Sequence, residues 1–185
     1  MGYFNEEKNV DEYLKIAEGY DGIALINILK KYLPKGSTIL ELGMGPGKDI
    51  DILNKTYNVT GSDTSRIFLN RYKKKNPDIE LLLLDAIDMK TDKTFNCIFS
   101  NKVLHHLTKE DLKKSLVNQK NTLKDSGLLM HSFWYGNKEE FHQNLIFFYY
   151  TEKDLVEIID NNFEIIELKR YTEMEKDDSI YTLLR

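Results

Sequence analysis

The apolar residues near the start of the chain recur at helical spacing, whereas those further along form short unbroken runs. Residues 9–32 are predicted to be helical, and Gly19 and Gly22 divide or bend this helix. Pro34 stops it, and a turn leads into the first apolar run. Short apolar runs bounded by turn residues predict β-strands. The pattern therefore predicts a helical cap at about 1–33, followed by a domain that alternates strands and helices.

Seven strands are predicted in all, and helices separate most of them. The strands are TILEL, YNVTGSD, IELLLLD, FNCIFSN and GLLMHSFW, then FEIIELKRY and IYTLLR at the end of the chain. Helices are predicted to begin at Lys48, Thr64 or Ser65, Lys109 and Thr151. The unbroken apolar run of IELLLLD favours a central strand that is buried on both sides.

The alternation of strands and helices predicts a parallel, doubly wound sheet that helices cover on both faces. The final two strands are separated only by TEMEKDDS, which is too short for a helical crossover. We therefore expect these two strands to pair as an antiparallel hairpin. The fold class is α/β, mostly parallel, with an antiparallel last strand.

Length, net charge and cysteine content limit the classes of protein to which the chain can belong. The 185 residues predict one domain, and the net charge of -4 does not favour a general electrostatic grip on nucleic acid. Cys97 is the only cysteine, so no internal disulfide can form. No apolar stretch has the length of a membrane span, and the N-terminus lacks the apolar core of a signal peptide. We expect a cytoplasmic protein without a membrane segment or a metal site.

A glycine-rich loop directly follows the first predicted strand. In ILELGMGPGKDI, Gly43, Gly45 and Gly47 alternate, so the loop reads G-x-G-x-G. A dinucleotide-binding loop reads G-x-G-x-x-G, and here Lys48 stands at its third glycine position. Asp63 lies twenty residues after Gly43, at the end of the second strand, where a carboxylate can accept hydrogen bonds from a ribose. The pattern indicates a nucleoside site that is not a pyrophosphate site.

Four segments in order resemble the class I methyltransferases that use S-adenosylmethionine, in their small-molecule, type 11/25-like branch. They are ELGMGPG, GSDTS, LLLLDAIDM and FNCIFSNKVLHHL. The resemblance extends from about Tyr20 to the end of the chain. It implies one Rossmann-like methyltransferase domain over 1–185 and a seven-stranded sheet of order 3-2-1-4-5-7-6.

The resemblance also implies which residues bind S-adenosylmethionine and its product S-adenosylhomocysteine. Glu41 would lie near the methionine amino group, Asp63 would accept from the ribose, and Asp85 would accept from the adenine amine. Asn101 would line the methionine portion through its backbone carbonyl, and Tyr20 would close over the cofactor. The full set of implied cofactor residues is Tyr20, Glu41, Gly43, Met44, Gly45, Gly47, Asp63, Thr64, Asp85, Ala86 and Asn101.

The methyl acceptor is expected to be a small molecule. A histidine suits the role of general base at neutral pH, and His105 and His106 follow the fourth strand, although packing or substrate contact would also explain them. Aromatic residues in the insert 133–150 predict an acceptor wall. The candidate substrate residues are Tyr13, His105, Phe133, Trp134 and Tyr135. Lys102 is predicted to lie on the surface.

Two other functions stay open. A catalytically silent relative would keep the cofactor fold for binding alone, because methyl transfer has no universal catalytic side chain. An NAD(P)-dependent oxidoreductase has a related fold, but the early third glycine and the terminal hairpin count against it. The acceptor, its reacting atom and the oligomeric state do not follow from the sequence.

Overall fold

A computed structural model of the chain describes residues 3–142 and 145–185. The first two residues of the predicted cap, and 143–144 in the aromatic insert, lie outside this range. The helices are α1 Glu7–Ile16, α2 Ile23–Leu29, α3 Lys48–Leu53, α4 Arg66–Lys75, α5 Lys109–Thr122 and α6 Glu152–Ile159. The strands are β1 Thr38–Leu42, β2 Asn58–Asp63, β3 Glu80–Leu83, β4 Phe95–Asn101, β5 Leu123–Trp134, β6 Glu139–His142, β7 Leu145–Phe148, β8 Ile165–Tyr171 and β9 Ser179–Leu184.

Seven of the strands form one sheet in the order β3-β2-β1-β4-β5-β9-β8. The first five pair in parallel, whereas β9 runs antiparallel to both β5 and β8. When the two strands of the insert are left out of the numbering, this is the order 3-2-1-4-5-7-6. The predicted fold class and the antiparallel last strand are therefore confirmed.

The sheet is covered on both faces, as the pattern predicted. Neighbouring residues of β1 point to opposite sides: Ile39 packs with the apolar residues of α2, α3 and α4, and Leu40 with those of α5 and α6. Side-chain hydroxyls begin several of these helices, because Ser65, Thr108 and Thr151 each accept a hydrogen bond from a backbone N–H in the first turn. These local signals fix where the helices that flank the sheet begin.

The position of β3 corrects one expectation. The strand lies at the edge of the sheet, where β2 is its one neighbour, and Leu83 is 47% exposed. Leu81 and Leu82 are only partly buried. The prediction from the unbroken apolar run, a central strand buried on both sides, is therefore wrong. The strand order that the resemblance implies, with the third strand at the edge, is confirmed.

A second, two-stranded sheet forms in the aromatic insert. Strands β6 and β7 pair antiparallel, with Glu139 opposite Phe148 and His142 opposite Leu145. The pattern did not predict this hairpin. In the part of the chain that the structure describes, no helix has the length and apolar character that crossing a membrane requires.

Candidate active site

A cleft of about 300 Å³ opens at the carboxyl ends of β1 and β4. Helix α1, the glycine loop, the turn after β4 and the β6–β7 hairpin all contribute to its wall. Of the predicted cofactor residues it brings together Tyr20, Glu41, Gly43, Met44, Gly45 and Asn101. Of the predicted substrate residues it brings together Tyr13, His105 and Trp134, and it also contains His106, the second candidate general base. In an open parallel sheet, this edge is where ligands bind.

The glycine loop brings its backbone up to the cleft. Gly45 has φ +49, and a Cβ built there would meet only the ring of Tyr13, at 3.8 Å. The space beside Gly45 is therefore open to a ligand. Gly47, at φ +86, begins α3 against Tyr72, whose ring would lie 2.2 Å from a Cβ. Gly47 thus permits close packing behind the loop, while Gly45 faces the open cleft.

Glu41 places a buried carboxyl group in the wall of the cleft. Its side chain is buried, and its Oε2 has no hydrogen-bond partner among the described residues. Burial, followed by the charges of Asp49, Asp63 and Asp51, raises the pKa of Glu41 well above its usual range. An unpaired buried carboxylate oxygen is costly unless a donor meets it. The methionine amino group of S-adenosylmethionine is such a donor, so Glu41 fits that cofactor.

Asp49 is a second buried carboxylate of the cleft. Asp49 accepts hydrogen bonds from the backbone N–H of Gly22 at 2.6 Å and from Asn101 Nδ2 at 3.1 Å. It therefore ties the cap to the end of β4. Burial raises the pKa of Asp49 despite these two bonds. With Glu41, it gives this end of the cleft an acidic wall that favours a cationic ligand.

Asp63 stabilises the glycine loop by accepting a hydrogen bond from its backbone. Its two oxygens accept from the backbone N–H groups of Gly45 at 2.9 Å and Ser65 at 2.8 Å. It is buried and does not line the cleft. Burial raises its pKa, although the backbone donors oppose the shift. Each carboxylate oxygen has a second lone pair, which can accept a hydrogen bond from a ribose hydroxyl.

The residues predicted to hold adenine lie in a neighbouring depression. Thr64 and Asp85 line it together with Asn5, and Phe4 lines the main cleft, so the N-terminal segment separates the two spaces. Asp85 is exposed and accepts from its own loop, at the backbone N–H of Ile87. Ala86 lines neither space, and its carbonyl accepts from Ser115.

Two tyrosines of the cap differ in depth. Tyr20 is 43% exposed at the mouth of the cleft. Tyr13 lies deeper and packs edge-on against Phe4 and Phe68. Burial, then the charges of Asp63 and Asp49, raises the pKa of Tyr13. Tyr13 is therefore a wall of the site, and Tyr20 is positioned at its entrance.

The two adjacent histidines are in different environments. His105 is 2% exposed, stacks on Phe147, and has neither ring nitrogen paired among the described residues. Burial, then His106 and Lys102, lowers its pKa well below the usual range. His106 instead has Nδ1 2.7 Å from the carbonyl oxygen of Ile146 in β7. Burial lowers the pKa of His106, with this bond opposing the shift.

The aromatic wall is smaller than the sequence indicated. Phe133 is 2% exposed and packs on Tyr150 in the core, so the structure does not bring it to the cleft. Tyr135 lies outside the cleft under the guanidinium of Arg170. Phe133 and Trp134 are neighbours in β5 and therefore face opposite sides of the sheet, whereas Tyr135 lies beyond the end of β5. Neither Phe133 nor Tyr135 lines the cleft. Trp134 does line the cleft.

Lys102 was not expected in this site. It adopts a left-handed backbone at φ +54, and its Nζ lies 3.6 Å from the centre of the Trp134 ring. Nζ donates to Ser179 Oγ at 2.6 Å and to the carbonyl of Phe133 at 3.2 Å. Glu173 is its ionic partner at 3.8 Å, and both side chains are 13% exposed. The predicted surface position is wrong, because this turn directs the side chain inward.

Comparisons with known proteins agree with this geometry. Residues 39–127 match a family model described as a methyltransferase domain. An S-adenosylmethionine-dependent methyltransferase from Clostridium acetobutylicum is 16% identical, with a TM-score of 0.77 over 96% of this chain and 97% of that one. The 1,6-didemethyltoxoflavin-N1-methyltransferase of Burkholderia thailandensis is 16% identical, with a TM-score of 0.79 over 95% and 82%. No curated protein sequence matches the chain.

A third structure, the glycopeptide N-methyltransferase MtfA, is 14% identical, with a TM-score of 0.75 over 94% of this chain and 96% of that one. At such identities these structures establish the fold alone, whereas the sequence match to the family model runs from β1 into β5. Residues 39–127 thus match a methyltransferase domain, and the chain as a whole has the fold of the S-adenosylmethionine-dependent methyltransferases.

Proposed function

We propose that the protein transfers the methyl group of S-adenosylmethionine to a small-molecule acceptor. The observation that carries this proposal is the unpaired Oε2 of Glu41, in the same cleft as Gly45 and the two histidines. A buried acceptor of this kind calls for a donor on the ligand. The methyl donor supplies one, together with a positive sulfonium that suits the acidic wall.

Several residues of the chain would hold the cofactor. Glu41 would accept from its amino group, and the open backbone at Gly45 would lie against it. Asp63 and Asp85 are proposed for the ribose and the adenine amine. The neighbouring depression beyond Asn5 would then take the adenine end. When bound, the cofactor supplies a methyl group already activated by its sulfur, so the protein mainly positions the acceptor and excludes water.

The acceptor would occupy the other half of the cleft. This half is built from His105, His106, Trp134 and Phe147, with Leu145 and Met174 near the rim. The whole cleft has a volume of about 300 Å³ and would also hold part of the cofactor, so the remaining space suits only a small acceptor. Among the relatives in structure, one is an N-methyltransferase with bound 1,6-didemethyltoxoflavin and S-adenosylhomocysteine. A small acceptor of this general size is what we propose for the present chain.

Cofactor binding to the purified protein tests the proposal. S-adenosylhomocysteine should raise the melting temperature and bind measurably by calorimetry, whereas NAD should do neither. Binding of NAD without binding of S-adenosylhomocysteine would overturn the proposal in favour of an oxidoreductase. A small-molecule panel assayed for S-adenosylhomocysteine release then separates an enzyme from a silent relative. The single domain over 1–185 and the cytoplasmic location remain predictions.

A further inference from the structure

The β6–β7 hairpin fixes the protonation pattern of one histidine. His106 Nδ1 lies 2.7 Å from the carbonyl oxygen of Ile146. A carbonyl oxygen can only accept, so Nδ1 must carry the proton. In a neutral imidazole the lone pair then resides on Nε2. The hairpin thus prepares Nε2 of His106 as a proton acceptor.

The same hairpin holds the imidazole in place. The Phe147 ring packs edge-on against His106 with the centroids 4.6 Å apart, and it stacks on His105 at 5.3 Å. His106 lines the cleft that also contains Glu41 and Gly45. An oriented imidazole with a free lone pair, in the wall of the reaction cleft, has the arrangement of a general base. His105 has no such orienting bond, because both its nitrogens lack partners among the described residues.

We propose that His106 Nε2 accepts the proton of the methyl acceptor, so that the acceptors are molecules whose nucleophilic atom is a hydroxyl oxygen or a protonated amine nitrogen. The inference rests on the proposed function. In the step, the acceptor oxygen or nitrogen forms a bond to the methyl carbon and the electron pair of the broken sulfur–carbon bond stays on sulfur. The acceptor's proton passes to Nε2. The imidazolium that forms keeps its Nδ1–H bond to Ile146, which offsets the cost of the new charge.

Burial supports this role. It lowers the pKa of His106, which keeps the ring neutral and able to accept a proton at pH 7. Carboxylates and thiolates need no such base, because their nucleophilic atom is already deprotonated. An oriented, neutral histidine is therefore expected to favour hydroxyl and amine acceptors over these anions.

The first experiment needs no acceptor. Long-range proton–nitrogen NMR of the protein labelled with ¹⁵N-histidine reports which ring nitrogen of His106 is protonated, and His106→Gln assigns the signal. We expect the Nδ1–H form at pH 7. Diethyl pyrocarbonate, which attacks an unprotonated imidazole nitrogen, should modify His106 faster than the fully buried His131, as read by peptide mass spectrometry. An Nε2–H form, or a His106 no more reactive than His131, would overturn the inference.

The second experiment uses turnover. Phenols and amines are assayed beside carboxylates and thiols for S-adenosylhomocysteine release, and S-adenosylhomocysteine binding is measured in parallel. With an accepted phenol or amine, His106→Gln should lower kcat by roughly 10²–10⁴-fold while KM and cofactor affinity stay close to the parent values. An unchanged kcat, or methylation of carboxylates alone, would overturn the inference and leave the proposed function standing. Absence of S-adenosylhomocysteine binding would instead refute the proposed function.

Discussion

Acid should destabilise this protein through one buried histidine. His131 lies in the middle of β5 with no exposed surface, and its Nδ1 is 2.8 Å from Ser100 Oγ. Its Nε2 has no partner among the described residues. Burial lowers the pKa of His131 from 6.5 to about 3. The ring is thus neutral in the native state under conditions where it would be charged in the unfolded chain.

The sign and size of the effect follow from proton linkage. The folded pKa lies below the unfolded one, so between about pH 6.5 and pH 3 the unfolded state binds a proton that the native state does not. The free energy of unfolding therefore falls as the pH falls, by about 1.4 kcal/mol per pH unit. Across the window the loss from this ring approaches about 5 kcal/mol, which is comparable with the whole stability of many domains.

Urea unfolding at pH 7, 6 and 5 measures the effect, with parent and His131→Asn compared. The asparagine keeps a polar group near Ser100 but does not titrate. Below about pH 6.5, the parent should lose about 1.4 kcal/mol more per pH unit than the variant. His105, whose shift has the same sign, and Glu41, whose shift is opposite, contribute equally to both proteins and cancel. Parallel curves for the two proteins would refute the reasoning.

The control for this comparison is His142→Asn. His142 is an exposed residue of β6, so its replacement should leave the steeper slope of the parent in place. A control that flattened the slope as much as His131→Asn would show that burial of the β5 histidine is not the cause.

Three other changes test the site. Glu41→Gln should weaken S-adenosylhomocysteine binding about ten- to a hundredfold, because it removes a charged acceptor; calorimetry would show this, and unchanged affinity would argue against the role. Asp63→Ala leaves the N–H groups of Gly45 and Ser65 unpaired, so it should weaken cofactor binding and lower the free energy of unfolding by about 2–4 kcal/mol in urea titrations. Burial lowers the pKa of Lys102 to about 8, so the parent should gain stability between about pH 8 and 10.5 as this lysine deprotonates, and Lys102→Met should lose that gain.

The layout of the sheet could be predicted because local patterns encode it. Apolar runs separated by helical periods predict β1 to β5, and the short stretch between β8 and β9 permits only a hairpin. The helix starts at Thr108 and Thr151 follow from hydroxyl caps, which are local in sequence. The edge position of β3 depends on pairing between distant strands, so it followed only from the strand order that the resemblance implies and not from local patterns.

The environment of Lys102 could not be predicted for the same reason. A lysine beside asparagine after a strand has the composition of a surface turn. Its contacts come from Trp134 and Ser179, which are far away in the sequence, and they depend on a left-handed backbone that local propensity disfavours. A non-glycine residue held in this region marks a place where the fold imposes the conformation.

The hairpin also escaped prediction. EEFH and LIFF carry no alternation that distinguishes strands from a packed loop, and residues 143–144 between them have no glycine. The hairpin contacts His106 through the backbone carbonyl of Ile146. The identity of a side chain does not predict a contact made by the backbone. The pair His105 and His106 was visible in the sequence, but the bond that orients His106 comes from the hairpin.

The hairpin lies outside the segment of the chain that matches the family model. The family match ends at residue 127, whereas the two hairpin strands lie within 139–148. The matched segment, which contains the glycine loop, and the hairpin wall of the cleft are thus separate stretches of the sequence. An exchange of residues 139–148 would therefore alter one wall of the cleft and leave the sequence of the glycine loop unchanged.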